Sequence, residues 1–303
     1  MNTVTELKTD ELGNSRSNPK KSNEIINRLS RAPWWLLAIL SLVLVLVITV
    51  TDNNLYAEAW EDVQVGIGIT VRVTLSAYSI ALLLGLIIAL LRRPSESIIY
   101  NIFVYQPVTF FVEIIRGIPT LVLLLYIVLA LIPQGVDLGN NFGDYLIQEG
   151  YLFNGFAEFL ATLRVRDVSF EVRAIVALAV SYSAFLSEVF RAGIESVDKG
   201  QREAAYSLGM SGWQVNRHIV LPQAIRNILP PLGNDFIAML KESSLVSIVG
   251  VDDITRLARN FNSATFTIFP AYNIITMTYL MLTLTLSMFV KAIESYFGRS
   301  KQH

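Results

Sequence analysis

Two polar clusters interrupt long apolar stretches of this 303-residue chain. In the first, Glu188 follows the uncharged stretch 174–187; in the second, Lys241 and Glu242 stand within 227–251. An ionisable group inside an apolar segment is costly, so it needs a charged partner or a water-filled lining. The carboxylate could bind the ammonium group of a ligand, and the lysine could bind a ligand carboxylate.

Each cluster also has a structural interpretation. Glu188 can pair with Arg191 at i+3 on one helix face, and the lysine can pair with Asp235 or with its neighbour Glu242. Gly233 and the preceding proline pair, 230–231, predict a locally open helix start that lines a cavity. The candidate substrate-pathway residues are Ser183, Ser187, Glu188, Asn234, Lys241, Glu242, Ser243 and Ser244.

Composition excludes several classes of protein. Apolar residues make up 53% of the chain, charged residues 16%, and the mean hydropathy is +0.49. A net charge of -1 argues against nucleic-acid binding, and the absence of cysteine argues against a disulfide scaffold or a thiolate metal site. The sequence contains no G-x-S-x-G, H-E-x-x-H or G-x-x-x-x-G-K-[ST] motif, so we expect no catalytic centre, no metal and no ATP on this chain.

The clusters are therefore expected to lie in membrane-spanning helices. A span needs about 20 mostly apolar residues. The predicted spans are 32–51, 73–91, 117–136, 174–187, 227–251 and 271–290. Pro119 removes a helical donor, so the third span is expected to break there. The preceding Arg116 is expected to reach towards lipid phosphate, with a gating role as the alternative.

The basic residues give an orientation. With the N-terminus inside, sixteen of the 24 lysines and arginines lie in inner segments and five lie in outer loops. This bias supports six spans and cytoplasmic termini. The polar residues 1–31 are expected to form a disordered cytoplasmic tail. The apolar stretch 32–51 is too long for a signal peptide and is expected to remain as an uncleaved extra helix.

Two connecting segments have predicted structure. The aromatic residues and leucines of the outer loop 133–173 suggest an ordered cap on the membrane surface. After the fifth span, Asp252 and Asp253 are expected to cap a short helix that runs to Arg259.

The inner loop 196–222 is more than a connector. Gly209 separates two short helical stretches, and Ser211 with Gln214 fits a capping box at the start of the second. The second stretch is expected to end near Pro222. Such a hinged pair suits a groove on another protein, although a helix that holds the loop on the membrane surface is the commoner explanation of such a pattern.

The same loop resembles the EAA signature of ABC-importer permeases. The matching residues are Glu203, Ala204, Ala205, Gly209, Ile219, Leu221 and Pro222, at the spacing EAA-x3-G-x9-I-x-L-P. RGIPT at 116–120, YSAFLSEVFRAGI at 182–194 and GNDFIAMLKESSLVSIVG at 233–250 are similar to the polar-amino-acid branch, which includes the histidine and glutamine permeases of bacteria. The resemblance covers roughly residues 63–297.

This resemblance implies an all-α polytopic membrane protein with about six transmembrane helices: the five-helix core of a type I permease plus the extra N-terminal helix. It implies a multi-pass subunit of the bacterial inner membrane. Its expected partners are an ABC ATPase dimer that binds ATP and Mg²⁺, a second permease subunit, identical or paralogous, and a periplasmic amino-acid-binding protein. The EAA loop would be the coupling helix, with Glu203 facing the ATPase groove and Gly209 giving the bend.

Two other functions remain open at this point. An ion-gradient-driven secondary transporter would be expected to show repeats and paired broken helices. A non-transporting membrane anchor would need the docking loop but not Glu188 or Lys241.

Overall fold

The computed structural model describes residues 34–149 and 154–298, and these ranges contain helices and turns and no strand. The helices are α1 (Trp34–Asp52), α2 (Asn54–Leu91), α3 (Ile98–Gly117), α4 (Thr120–Gln148), α5 (Asn154–Thr162), α6 (Phe170–Glu195), α7 (Lys199–Ser207), α8 (Gly212–Val215), α9 (Leu221–Glu242), α10 (Ile254–Thr265) and α11 (Ile268–Gly298). The all-α prediction is confirmed. The predicted tail, 1–31, lies outside the described residues.

Five helices of the described ranges are long and apolar enough to cross a membrane: α2, α3, α4, α6 and Ile268–Tyr296 of α11. The segment Ile39–Asp52 of α1 is a shorter apolar helix. The predicted fifth span, 227–251, corresponds to α9 and the 3-10 helix Ser243–Val249 that continues it. This segment is not among the five.

Helix α3 was not predicted as a separate element, and its contacts show how it lies. The Tyr100 hydroxyl, near its start, donates to the Leu91 carbonyl oxygen at the end of α2. Glu113, near the end of α3, has its carboxylate 3.7 Å from the guanidinium of Arg92, the residue that follows Leu91. Thirteen helical residues rise about 20 Å, so a helix that ran along α2 would carry Glu113 well away from this end. Helix α3 therefore lies across this end of α2.

Close backbone contacts hold the core together. Helix α2 packs along α6, where Gly85 lies against Ser183 and Ser187. Helix α6 packs along α9, where a Cβ on Gly193 would overlap Ile228. Because there is no room for a side chain at Gly85 or Gly193, these contacts set how closely the three helices pack.

Prolines act differently at different positions. Ile118 is extended and Pro119 precedes the first turn of α4, so the predicted break is confirmed. Pro230 and Pro231, in contrast, lie inside a continuous α9, so the predicted open helix start is wrong. Each proline removes one N–H donor to the carbonyl one turn earlier, and the helix nevertheless continues through both positions.

The segment predicted as an outer loop is largely helical. Helix α4 continues to Gln148, and α5 returns along it to form a hairpin. At the crossing, a Cβ on Gly143 would lie 2.6 Å from the Ala161 backbone nitrogen. The described parts of 133–173 thus form an ordered element.

Candidate functional site

The loop that connects α6 to α9 is a folded unit with its own small core. The Asp198 carboxylate accepts from the backbone N–H groups of Gly200 and Gln201 and caps α7. Gly209 then turns the chain with φ +80°, a left-handed conformation that favours glycine. The core residues are Val197, Ala205, Val215, Val220 and Ala224. Burial of these side chains fixes the angle between α7 and the following segment.

The second half of the loop begins as the sequence predicts. Ser211 and Gln214 form a reciprocal capping box at the start of α8, which confirms that prediction. The predicted end near Pro222 is wrong, because a π turn, Asn216–Val220, joins α8 to α9 without a break. A π turn bonds residue i to i+5, and this wider turn accommodates a proline near the start of α9.

Polar contacts fasten the loop to the helices on either side. The Arg202 guanidinium donates to the Ile194 carbonyl oxygen at 2.6 Å, which ties α7 to the end of α6. The Gln223 amide donates to Gln201, which ties α9 to α7. The loop is therefore built to move with α6 and α9.

The EAA residues divide between the surface and this core. Glu203 and Ala204 are exposed, whereas Ala205 is buried; Ile219 is half-buried, and Leu221 and Pro222 are exposed. Within the described residues the Glu203 carboxylate has no ion pair. Its charge is therefore available to a partner.

Two apolar side chains at the tip of the loop extend this surface. Leu208 is 83% exposed and Trp213 is 71% exposed, on opposite sides of the Gly209 turn. Large apolar groups that are exposed together beside a turn are typical of surfaces that bind a protein or a membrane. Sequence reasoning noted Trp213 but missed Leu208, because exposure at a turn depends on how the two helices pack.

A second polar site, the Glu188 cluster, lies at the same end of the bundle and comprises Arg92, Glu113, Arg116, Glu188, Arg191 and Glu195. Glu188 Oε1 accepts from Arg92 at 2.5 Å and lies 3.5 Å from Arg116. Its Oε2 accepts from Arg191 at 2.6 Å, which is the intrahelical pair considered from the sequence. Arg191 also bonds Glu195 at 2.8 Å. Both oxygens of Glu188 are therefore engaged by arginines.

The remaining pathway candidates fall into two groups. Ser183, Ser187 and Ser243 are buried, and each hydroxyl donates to a carbonyl oxygen of its own helix. In α9, Asn234 and Lys241 are exposed and stand seven residues apart on one face. Ser244 is half-buried.

Glu242 is the pathway candidate that the structure places among other polar side chains. It stands seven residues after Asp235, on one face of α9. The Tyr182 hydroxyl of α6 interacts with Glu242, and the Tyr78 ring of α2 lies 4.7 Å from that of Phe236. Glu242 Oε2 is buried and has no hydrogen-bond partner among the described residues. Sequence reasoning missed the tyrosines because their contacts to α9 cross between helices.

These features agree with the comparisons to known proteins. Residues 81–300 match the family described as the binding-protein-dependent transport system inner membrane component. The chain belongs to this family. It is 32% identical over 243 residues to the probable amino-acid permease protein YxeN of Bacillus subtilis, which covers 80% of this chain and 94% of that protein. It is 31% identical over 229 residues to the arginine transport system permease protein ArtQ of the same organism, which covers 76% and 89%.

Solved structures share the fold. The chain superposes with a TM-score of 0.62 and 36% identity on a chain of an amino acid ABC transporter solved with histidines, covering 79% of this chain and 96% of that one. The MetNI methionine ABC transporter in an inward-facing form gives a TM-score of 0.57 at 17% identity, which supports the fold alone. The predicted resemblance is confirmed, and the chain is a multi-pass membrane permease component.

Proposed function

We propose that this chain is the permease subunit of an ATP-driven ABC importer of polar amino acids. The observation that carries the proposal is the EAA loop: a rigid helix pair, tied to α6 and α9, that presents Glu203, Leu208 and Trp213. In this proposal the loop faces the cytoplasm and is seated on a separate ATPase dimer, which binds ATP and Mg²⁺. The relatives named for amino-acid and arginine transport support the substrate class.

A solute-binding protein outside the membrane delivers the amino acid, and a second permease subunit completes the pathway. ATPase closure draws the coupling loops together and turns the pathway outward, and hydrolysis resets it. The chain itself hydrolyses nothing. The distribution of basic residues supports this orientation, with both termini in the cytoplasm.

The substrate pathway in this proposal runs along α9, past Asn234 and Lys241 on one face and Glu242 on the neighbouring face. Support comes from the unpartnered carboxylate oxygen of Glu242, because a buried unpaired acceptor is costly unless a ligand satisfies it. The backbone hydrogen bonds of Ser183, Ser187 and Ser243 support a packing role for those serines. Replacing Glu242 by Gln is expected to raise the KM for uptake, and Ser183→Ala is the matched control.

Uptake into proteoliposomes tests the proposal as a whole. The complete complex, with ATPase and binding protein, is supplied with internal ATP and no ion gradient. Labelled amino-acid uptake that needs ATP supports an ABC importer. Uptake that proceeds without ATP but needs an ion gradient supports a secondary transporter, and a complex that assembles without uptake supports an anchor.

A further inference from the structure

The Glu188 cluster joins three elements that are distant in sequence. Arg92 ends α2, Glu113 and Arg116 stand at the end of α3, and Glu188 lies on α6. Arg92 and Glu188 are 96 positions apart, and their side chains are 9% and 19% exposed. Buried ion pairs with several hydrogen bonds hold their partners in one geometry, because breaking them leaves an uncompensated charge. The cluster therefore fixes α3 and the end of α2 to α6.

The cluster also lies between the EAA loop and the helix break at Ile118-Pro119. On one side, Glu188 lies two turns before the end of α6, and Arg202 ties that end to α7. On the other side, Arg116 comes just before extended Ile118 and Pro119, after which α4 begins. A displacement of α7 is thus carried through α6 and Glu188 to the point where the chain enters α4.

The charges fit a connection that must hold while the protein moves. Arg92, Arg116 and Arg191 approach one carboxylate, and Glu113 and Glu195 bring the formal charge of the cluster to zero. Because Glu188 binds arginines from three helices, loss of one contact leaves others in place. A ligand would have to displace an arginine to reach this carboxylate.

We propose that the Glu188 cluster joins α3, the end of α2 and the inner half of α6 to the EAA loop as one rigid body. Arg92 and Arg116 are then the positioning residues that transmit ATPase movement to α4. This inference rests on the proposed function, since it assigns a role within an ATP-coupled importer. The hinge of that movement is the extended pair Ile118-Pro119.

Transport measured per ATP hydrolysed tests the proposal in the complete complex. For Arg92→Gln and Arg116→Gln we expect ATP hydrolysis to continue while uptake per ATP falls about fivefold or more, the lower end of ordinary coupling energies. Arg116→Lys keeps the charge and is expected to restore most of the ratio. The matched control is Arg72→Gln, because Arg72 pairs with Glu171 at 2.6 Å between the same two helices, away from the cluster. Its ratio should equal that of the parent protein.

Distance measurements keep the test decisive if a variant fails to assemble. The chain has no cysteine, so spin labels can be placed uniquely at Phe110→Cys on α3 and Ala192→Cys on α6, both exposed positions. With the cluster intact, we expect the same distance in the ATP-bound and nucleotide-free complex. A distance that changes between these states, or an unchanged transport ratio in both arginine variants, overturns the rigid body. A parent complex without ATP-dependent uptake would instead overturn the proposed function.

Discussion

Gly66 of α2 lies directly against the backbone of Ile254, and a Cβ on Gly66 would be 2.6 Å from the Ile254 nitrogen. The Thr70 hydroxyl, one turn further along α2, accepts a hydrogen bond from the same N–H group at 3.3 Å. The start of α10 is thus held against α2 by close backbone contact and by the Thr70 hydrogen bond. This arrangement makes the size of residue 66 decisive.

Gly66→Ala is expected to destabilise the subunit by about 1–3 kcal/mol, the usual cost of overpacking, because the nearest atoms are backbone and cannot rotate away. Gly68→Ala is the matched control on the same helix, since nothing lies within 4 Å of its Cβ. That change should be neutral or stabilise the helix by up to about 1 kcal/mol. Thermal unfolding in detergent measures both, and equal melting temperatures would contradict the predicted close contact.

The bend of the coupling loop depends on Gly209. Gly209→Ala places a Cβ in a left-handed conformation at a cost of about 1–2 kcal/mol, although the surrounding space is empty. We expect weaker ATPase association and lower transport, with Gly209→Asn less affected because asparagine tolerates this conformation. Gly212→Ala is the control, since its φ is ordinary. Association can be measured by co-purification of the ATPase.

The exposed tip of the loop is expected to supply binding energy without supporting the fold. Trp213→Ala should leave the melting temperature of the isolated subunit unchanged, because the side chain is 71% exposed. Its loss should weaken ATPase binding by about 2 kcal/mol or more, as for a central aromatic contact. His218→Ala, at an exposed position of the π turn, is the control. A Trp213 variant that binds the ATPase normally would place the interface elsewhere.

Asp253 caps α10, as the sequence predicts, and also joins it to α11. Its carboxylate accepts from the Arg256 backbone N–H at 2.9 Å and from the Tyr279 hydroxyl at 3.2 Å. Asp253→Ala should cost about 1–2 kcal/mol through the lost cap and the lost hydrogen bond from Tyr279. Asp252→Ala removes only an exposed ion pair with Arg256 and should cost under about 1 kcal/mol. Similar melting temperatures for the two variants would contradict a buried junction.

The same carboxylate predicts a dependence on pH. Burial raises the pKa of Asp253, and its hydrogen bonds act in the opposite direction. Because the folded-state pKa is raised, its contribution to stability is greatest below the ordinary Asp pKa of about 3.9 and declines as pH rises through the folded-state value. Asp253→Asn keeps the cap but not the charge, so its stability relative to the parent should rise with pH. A difference that does not vary with pH would show that the carboxylate is well solvated.

Local signals in the sequence predicted local features correctly. Pro119 marked the break before α4, Ser211 and Gln214 marked the start of α8, and Asp253 marked the start of α10. Each of these features depends on residues within one helical turn, so no knowledge of the rest of the fold is needed. The predictions were wrong where the structure depends on contacts with residues farther away in the sequence. Pro222 does not end a helix because a π turn precedes it, and α3 lies across the bundle because Arg92 and Tyr100 fix it at one end of α2.

In the candidate sites, too, local features could be predicted from the sequence and contacts between helices could not. The EAA spacing could be read from consecutive residues, and the Glu188–Arg191 pair follows from helical periodicity. The approach of Arg92 and Arg116 to Glu188 could not be predicted, since the three residues belong to three helices. The environment of Glu242 likewise required the positions of α2 and α6, whose tyrosines look like ordinary apolar positions in the sequence.

The π turn Ile127–Leu131 within α4 has a consequence for how this chain could change in evolution. A π turn contains one residue more than the α turn it replaces. Deleting one residue inside this turn would therefore restore an α turn and leave the rest of α4 close to its present orientation. Deleting one residue between this turn and Gly143 would instead rotate everything that follows by about 100° about the helix axis. Gly143 would then turn away from Ala161, and its close contact with α5 would be lost. The π turn is thus a position in α4 where a one-residue change of length leaves the α4–α5 hairpin in place.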